Sequence, residues 1–204
     1  MALGSREPSV IFLKNMEERQ SAKTPKSKGL TQVYTGNGKG KTTASLGLAM
    51  RAVSEGMRVA IVHFDKGGDH YAERKIIAER FPEIELHASG LDRIDPVTNR
   101  FRFGVTPEDK AEAERGLSIV QEIFLNGKHH LVILDEINST VSLGMLDEGA
   151  ALDVIKNKPS EVELVLTGRN APESFKEIAD LVSDVTLVKH YFYHGVPARF
   201  GLDY

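Results

Sequence analysis

The run Thr35-Gly36-Asn37-Gly38-Lys39-Gly40-Lys41-Thr42-Thr43 carries the densest chemical signal in the chain. Glycines let successive backbone N–H groups curl around phosphate oxygens, and a helix starting directly behind them adds the partial positive charge of its N-terminus to the same anion. The general motif asks for Gly, four residues, then Gly-Lys-Ser/Thr. Here Thr35 stands at the first glycine position, and Gly36 and Gly38 supply the backbone freedom. Lys41 is expected to reach the outer phosphates, with Lys39 as a second cation in the loop. The Thr42 hydroxyl is placed to ligate Mg²⁺, which binds mainly through phosphate oxygens with few protein groups. The second signal is Leu131-Val132-Ile133-Leu134-Asp135-Glu136, an apolar run ending in two carboxylates, one of which should meet Mg²⁺ directly or through water. At the C-terminal end of a parallel strand such groups face the crevice where ligands bind.

Both signals need strands that point at a common edge. From Leu30 onward, short β-branched runs alternate with longer amphipathic stretches, the pattern of βαβ units around a parallel sheet. Strands are expected at Thr31–Thr35, Arg58–Phe64, Ile84–Ala88, Leu131–Asp135, Val162–Thr167 and Asp184–Lys189. Helices are expected at Lys41–Ser54, Tyr71–Arg80, Pro107–Leu125, Leu146–Lys156 and Pro172–Val182, with start signals at Thr106-Pro107 and at Asn170 ahead of Pro172. The expected fold is therefore α/β, a P-loop NTPase-like three-layer sandwich with a mostly parallel, about six-stranded sheet. Residues 1–29 are polar and read as a flexible arm, its first residues in part an expression remnant; residues 30–204 read as one domain. The stretch Ser89–Gly104 has no periodicity and reads as a functional or mobile loop, the alternative being a plain surface excursion.

Composition narrows the field further. In 204 residues, 26 Lys+Arg stand against 29 Asp+Glu, a formal charge of −3, which argues against non-specific nucleic-acid binding. There is no cysteine, which excludes disulfides, thiolate metal sites and a cysteine nucleophile. No segment approaches the length of a membrane helix, so the expectation is a cytoplasmic protein with neither membrane nor nucleic-acid partners.

Taken together, these motifs resemble the P-loop corrinoid adenosyltransferases. The residues that carry the resemblance are the 35–43 loop, Arg51-Ala52, Val62-His63-Phe64-Asp65-Lys66-Gly67, Val132-Ile133-Leu134-Asp135-Glu136 and Leu166-Thr167-Gly168-Arg169-Asn170-Ala171-Pro172. Val188-Lys189-His190 with Gly195, Ala198, Gly201 and Tyr204 completes it, over about residues 30 to 204. The resemblance implies ATP-dependent transfer of the 5′-deoxyadenosyl group to the Co(I) of a reduced corrinoid (cobalamin or cobinamide), with release of triphosphate and the nucleotide reversed in the loop. It implies that Gly36, Asn37, Gly38, Lys39, Gly40, Lys41, Thr42 and Thr43 bind the phosphates, that Thr42 and Glu136 hold Mg²⁺ or Mn²⁺, and that Arg51 and Arg169 add ATP contacts. Lys41 and Glu136 are then the catalytic pair, in a homodimer supplied with electrons by a flavoprotein. Related sequences have a Gly-Phe-Thr-Trp-like segment where this chain has Ser89-Gly90-Leu91-Asp92-Arg93, and there is no tryptophan. Phe101 and Phe103 are the expected substitutes at the corrinoid, the alternative being a corrinoid with a different lower ligand. The rival readings are an ordinary P-loop ATPase or kinase, which would release ADP, and an ATP-dependent corrinoid-binding module without turnover.

Overall fold

The computed structural model describes residues 28–93 and 102–203. Six strands, β1 (Thr31–Thr35), β2 (Val59–His63), β3 (Ile84–Ala88), β4 (Leu131–Asp135), β5 (Glu163–Thr167) and β6 (Leu181–Asp184), form one sheet in the order β3-β2-β4-β5-β1-β6. Every pairing is parallel. The helices are α1 (Lys41–Ser54), α2 (Ala72–Arg80), α3 (Pro107–Asn126), α4 (Ile137–Ser142), α5 (Glu148–Lys156) and α6 (Glu173–Ile178), followed by a 3₁₀ turn at Tyr191–His194.

Strands β2 and β4 are buried along their whole length, as continuous apolar runs covered on both faces must be. Alternation along them divides the core. Val132, Leu134, Leu164 and Leu166 pack with Phe64, Phe124 and Phe175 on one face, under α3, α5 and α6. Leu131, Ile133, Val165 and Ile61 pack on the other with Ala49 of α1 and Ile77 of α2. The result is the three-layer α/β architecture expected from the alternation of elements.

Helix α3 starts where its sequence says it should. Thr106 and Asp109 form a reciprocal capping box, with Pro107 in the first turn and Gly127 ending the helix in the left-handed region at φ 58°. Two expectations need correction. The helix predicted over Pro172–Val182 ends at Ile178, because Asp180 turns to β1: its backbone N–H donates to Thr31 O at 2.8 Å, and its carboxylate accepts from Thr31 N at 2.8 Å. Strand β6 accordingly begins at Leu181 and ends at Asp184, instead of running over Asp184–Lys189. The β-branched residues beyond it leave the sheet and cross the phosphate loop. Helix α4, directly behind the acidic strand end, was not expected at all. The expected arm at residues 1–29 falls almost wholly outside the described residues, as do Phe101 and Tyr204.

Candidate active site

Strand β1 delivers the glycine-rich loop to the C-terminal edge of the sheet. Gly36 adopts φ 96°, and a Cβ there would lie 2.1 Å from Asp184 Oδ1, so glycine is required by both conformation and space. The segment after β6 stitches the loop in place: Gly38 N donates to Val185 O at 2.7 Å and Leu187 N to Asn37 Oδ1 at 3.0 Å. Gly40 precedes α1 without a side-chain cap, leaving the first-turn N–H groups available to an anion. Lys41, only 6% exposed, folds back and donates to Gly36 O and Gly38 O, each at 2.7 Å. Burial pulls its pKa below the ordinary lysine value, with Glu136 opposing and Arg169 adding to the shift.

The acidic strand end faces that loop, with β5 between β4 and β1. Asp135 is buried and saturated with donors: Thr42 Oγ1 at 3.0 Å and Thr167 Oγ1 at 2.6 Å reach Oδ1, and Lys66 Nζ pairs tightly with Oδ2. Burial alone would raise the Asp135 pKa, but Lys66, His63 and these hydrogen bonds hold it below the usual carboxylate value. Glu136, by contrast, lines the cavity. It sits in the left-handed region at φ 65° and accepts from Ser139 Oγ at 2.6 Å, while its own N–H donates to Thr167 Oγ1 at 3.1 Å. Among the described residues, the other two non-glycine residues at positive φ, Asp65 and Asn170, follow β2 and β5 at the same edge. Such conformations persist only where the surroundings hold them, and they cluster at functional sites.

A cavity of about 690 Å³ opens here. Its lining combines Asn37 to Thr43, Glu136 and Arg169 with Leu187, His190–Tyr193, Val196, Ala198 and Asp203 from the tail. Sequence reasoning used the tail only as a family marker, and did not foresee that it would wall the phosphate loop. Lys39 donates to Leu202 O and to Asp203 Oδ1, both at 2.6 Å, and Asp203 also accepts from Tyr191 Oη and from Arg199 Nε at 3.1 Å. Lys39, expected as a phosphate cation, is thus engaged with the tail. Arg51 is not brought to the cavity. It lies ten residues beyond Lys41 on α1, about 15 Å along the helix axis, which carries it toward the opposite edge of the sheet.

Comparison with known proteins gives the family. Residues 27–204 match the family ATP:corrinoid adenosyltransferase BtuR/CobO/CobP. A corrinoid adenosyltransferase from Sinorhizobium sp is 34% identical over 94% of this chain and 87% of its own length. Those of Pseudomonas aeruginosa and Escherichia coli K12 are 32% and 31% identical, each over 94% of this chain and over 91% and 94% of their own lengths. The chain belongs to the ATP:corrinoid adenosyltransferase family.

On the side of this family member where the corrinoid contacts were expected, Phe103 is 86% exposed and lies outside the cavity lining. What the sequence did not reveal is the buried frame beneath it. Arg93 Nε donates to Asp65 Oδ1 at 2.7 Å and its Nη1 to Gly104 O at 2.8 Å, while Arg102 makes a two-pronged contact with Asp109 at 2.9 and 2.7 Å. Bidentate guanidinium–carboxylate pairs fix geometry as well as charge, so residues 93 and 102 are both anchored. Burial pushes the Asp65 pKa up, partly offset by Arg93, whereas Arg102 and the Thr106 contacts hold Asp109 far below the carboxylate range. The sequence marks Asp65 and the Ser89–Gly104 stretch separately, but no local pattern pairs Arg93 with Asp65 or Arg102 with Asp109.

His63, at the end of β2, is fully buried; its Nδ1 accepts from Arg74 Nε at 3.4 Å, and its Nε2 is without a hydrogen-bond partner among the described residues. Burial pushes its pKa down from 6.5 to about 3, with Asp135 opposing and Lys66 reinforcing the shift. The unfolded chain therefore binds a proton that the folded chain refuses, so stability is complete above about pH 6.5 and falls as pH drops toward 3. We expect the urea midpoint to decline through this window in wild type, and to decline less steeply in His63→Leu. Equal slopes in the two proteins would show that His63 does not carry the effect.

Proposed function

We propose that this adenosyltransferase-family member binds ATP along the 36–43 loop in the reversed sense and presents the 5′ carbon to the Co(I) of a reduced corrinoid, cobalamin or cobinamide. The observation that carries the reading is the convergence of the loop amides, Lys41, Glu136 and Arg169 on one cavity. The cobalt electron pair forms the Co–C5′ bond as the C5′–O bond breaks, and its electrons leave on the α-phosphate oxygen of triphosphate. Because cobalt is itself the nucleophile, the protein needs no activated serine, cysteine or histidine. Its work is to bring the two substrates together and to stabilise the leaving charge. The loop amides from Gly36 to Thr43 cradle the triphosphate, and Lys41 moves from loop carbonyls to phosphate oxygens. Lys39 adds a further positive charge at the loop's tail side.

The donor set suits Mg²⁺ or Mn²⁺ arriving with the triphosphate. The described residues contain no cluster of three or more His, Cys, Asp or Glu that could hold a metal alone, but Thr42 Oγ1 and Glu136 offer oxygen ligands beside the phosphates. Bound there, the metal supplies Lewis-acid stabilisation of the departing triphosphate. Phe101 and Phe103 serve the corrinoid; Arg51 serves ATP only by a route other than this cavity. In this reading the protein is a cytoplasmic homodimer, and a flavoprotein supplies the electron that brings the corrinoid to Co(I). No described helix is long and apolar enough to cross a membrane.

The direct test is anaerobic incubation with MgATP and chemically reduced cob(I)alamin or cobinamide, following the corrinoid spectrum and separating the phosphates. Light-sensitive adenosylcorrinoid with stoichiometric triphosphate supports the proposal. ADP without a cobalt–carbon product identifies an ordinary ATPase, and corrinoid binding with neither product identifies a binding module. Arg169 should report on ATP alone. Arg169 lines the cavity, so Arg169→Ala is expected to raise the KM for ATP about tenfold, with a smaller change in kcat. An unchanged KM would remove Arg169 from the ATP site.

A further inference from the structure

In phosphate-loop proteins the loop threonine and the acidic strand-end aspartate are the usual groups around a divalent cation. Here a positive charge from the protein already lies between them. Lys66 Nζ is 3.2 Å from Thr42 Oγ1 and in a tight ion pair with Asp135 Oδ2. The second Asp135 oxygen is taken by Thr42 and Thr167. The lysine is held there from several directions: its N–H donates to Ser89 O at 3.1 Å, its carbonyl accepts from Arg74 Nη2, and its ammonium lies 5.6 Å from the Tyr71 ring centre. Arg74 secures the same turn through Gly68 O at 2.6 Å. A divalent ion drawn to Asp135 would have to displace this ammonium or meet it at close range.

We propose that Lys66 is a built-in cation that fills the Thr42–Asp135 position and denies Asp135 to a divalent metal, so that metal enters only with the triphosphate, on the Glu136 side of the loop. Lys66 is then a positioning residue. It neutralises Asp135 and aims the Thr42 hydroxyl at that carboxylate, while Glu136, with one carboxylate oxygen engaged by Ser139, keeps the other for the metal. With Asp135 closed, metal departs together with its triphosphate after each turnover instead of remaining on the protein. The proposal deepens the metal assignment made above.

The test uses the nucleotide-free protein, without corrinoid, so its failure leaves the transfer reaction standing. Mn²⁺ is titrated into wild type, Lys66→Gln and Lys66→Arg, and bound metal is read by electron paramagnetic resonance and by the thermal midpoint. Lys66→Gln should bind one Mn²⁺ at least about tenfold more tightly than wild type, because a carboxylate ligand is uncovered, and Mn²⁺ should raise its midpoint. Lys66→Arg, which keeps the charge, should behave as wild type, and adding Asp135→Asn to Lys66→Gln should erase the gain. A lysine serving stability alone would weaken the fold without creating metal affinity. If Lys66→Gln folds only with Mn²⁺ present, the proposal is supported. Equal Mn²⁺ binding in wild type and Lys66→Gln, tight binding by Lys66→Arg, or a Lys66→Gln protein that Mn²⁺ does not rescue would overturn it.

Discussion

Lys41→Ala is expected to lower kcat/KM for adenosyl transfer by about 10²–10³-fold, the usual cost of removing a preorganised charge from a forming anion. The side chain has two duties. Its ammonium ties Gly36 O to Gly38 O and so fixes the curl of the loop, and in the proposed reaction it supplies a positive charge to the departing triphosphate. Because it is buried inside the loop, no neighbouring lysine can take its place: Lys39 is engaged with Leu202 and Asp203. Steady-state kinetics under anaerobic conditions, with circular dichroism to confirm folding, gives the answer. A folded Lys41→Ala protein retaining kcat/KM within about threefold of wild type would remove Lys41 from the reaction.

Asp135→Ala should be the most damaging single change to stability, by about 3–5 kcal/mol. The carboxylate is 1% exposed, and its loss leaves the Lys66 ammonium buried and unpaired while two hydroxyls, of Thr42 and Thr167, lose their acceptor. Removing one partner of such a pair costs far more than removing both. The Asp135→Ala/Lys66→Met double variant should therefore recover a large part of the loss, a coupling that urea titration of the two single variants and the double variant measures directly. Additive single-variant losses would mean that the pair contributes nothing as a pair.

Much of this site was legible in the sequence because its signals are local. The glycine spacing from Gly36 to Gly40, the helix starting at Lys41, and the apolar run closing on Asp135-Glu136 each depend on a few adjacent residues, and the structure places them where those residues imply. The contacts that hold the site together are not local. Lys66 reaches Asp135 across 69 positions, and Lys39 reaches Asp203 across 164. No periodicity encodes either. The misplaced sixth strand has a similar cause. Val185-Thr186-Leu187-Val188 has strand propensity, but Val185 O and Leu187 N are used by the phosphate loop, and Val188 is 95% exposed. Tertiary demand overrode local preference there.

The place of β1 in the sheet has a consequence for how the protein assembles. Although β1 comes first among the described strands, it pairs only with β5 and β6 and never with β2, its neighbour in the chain. Leu30, at its threshold, donates to a carboxylate 133 residues away. Closing so long a loop carries an entropic cost that must be met before those pairings can repay it, and such non-local pairings slow folding. The strand that bears the nucleotide loop gains its ladder only once the far part of the chain has formed. Destabilising β5 or β6 should therefore loosen the phosphate cradle first, even though neither strand contributes a glycine to it.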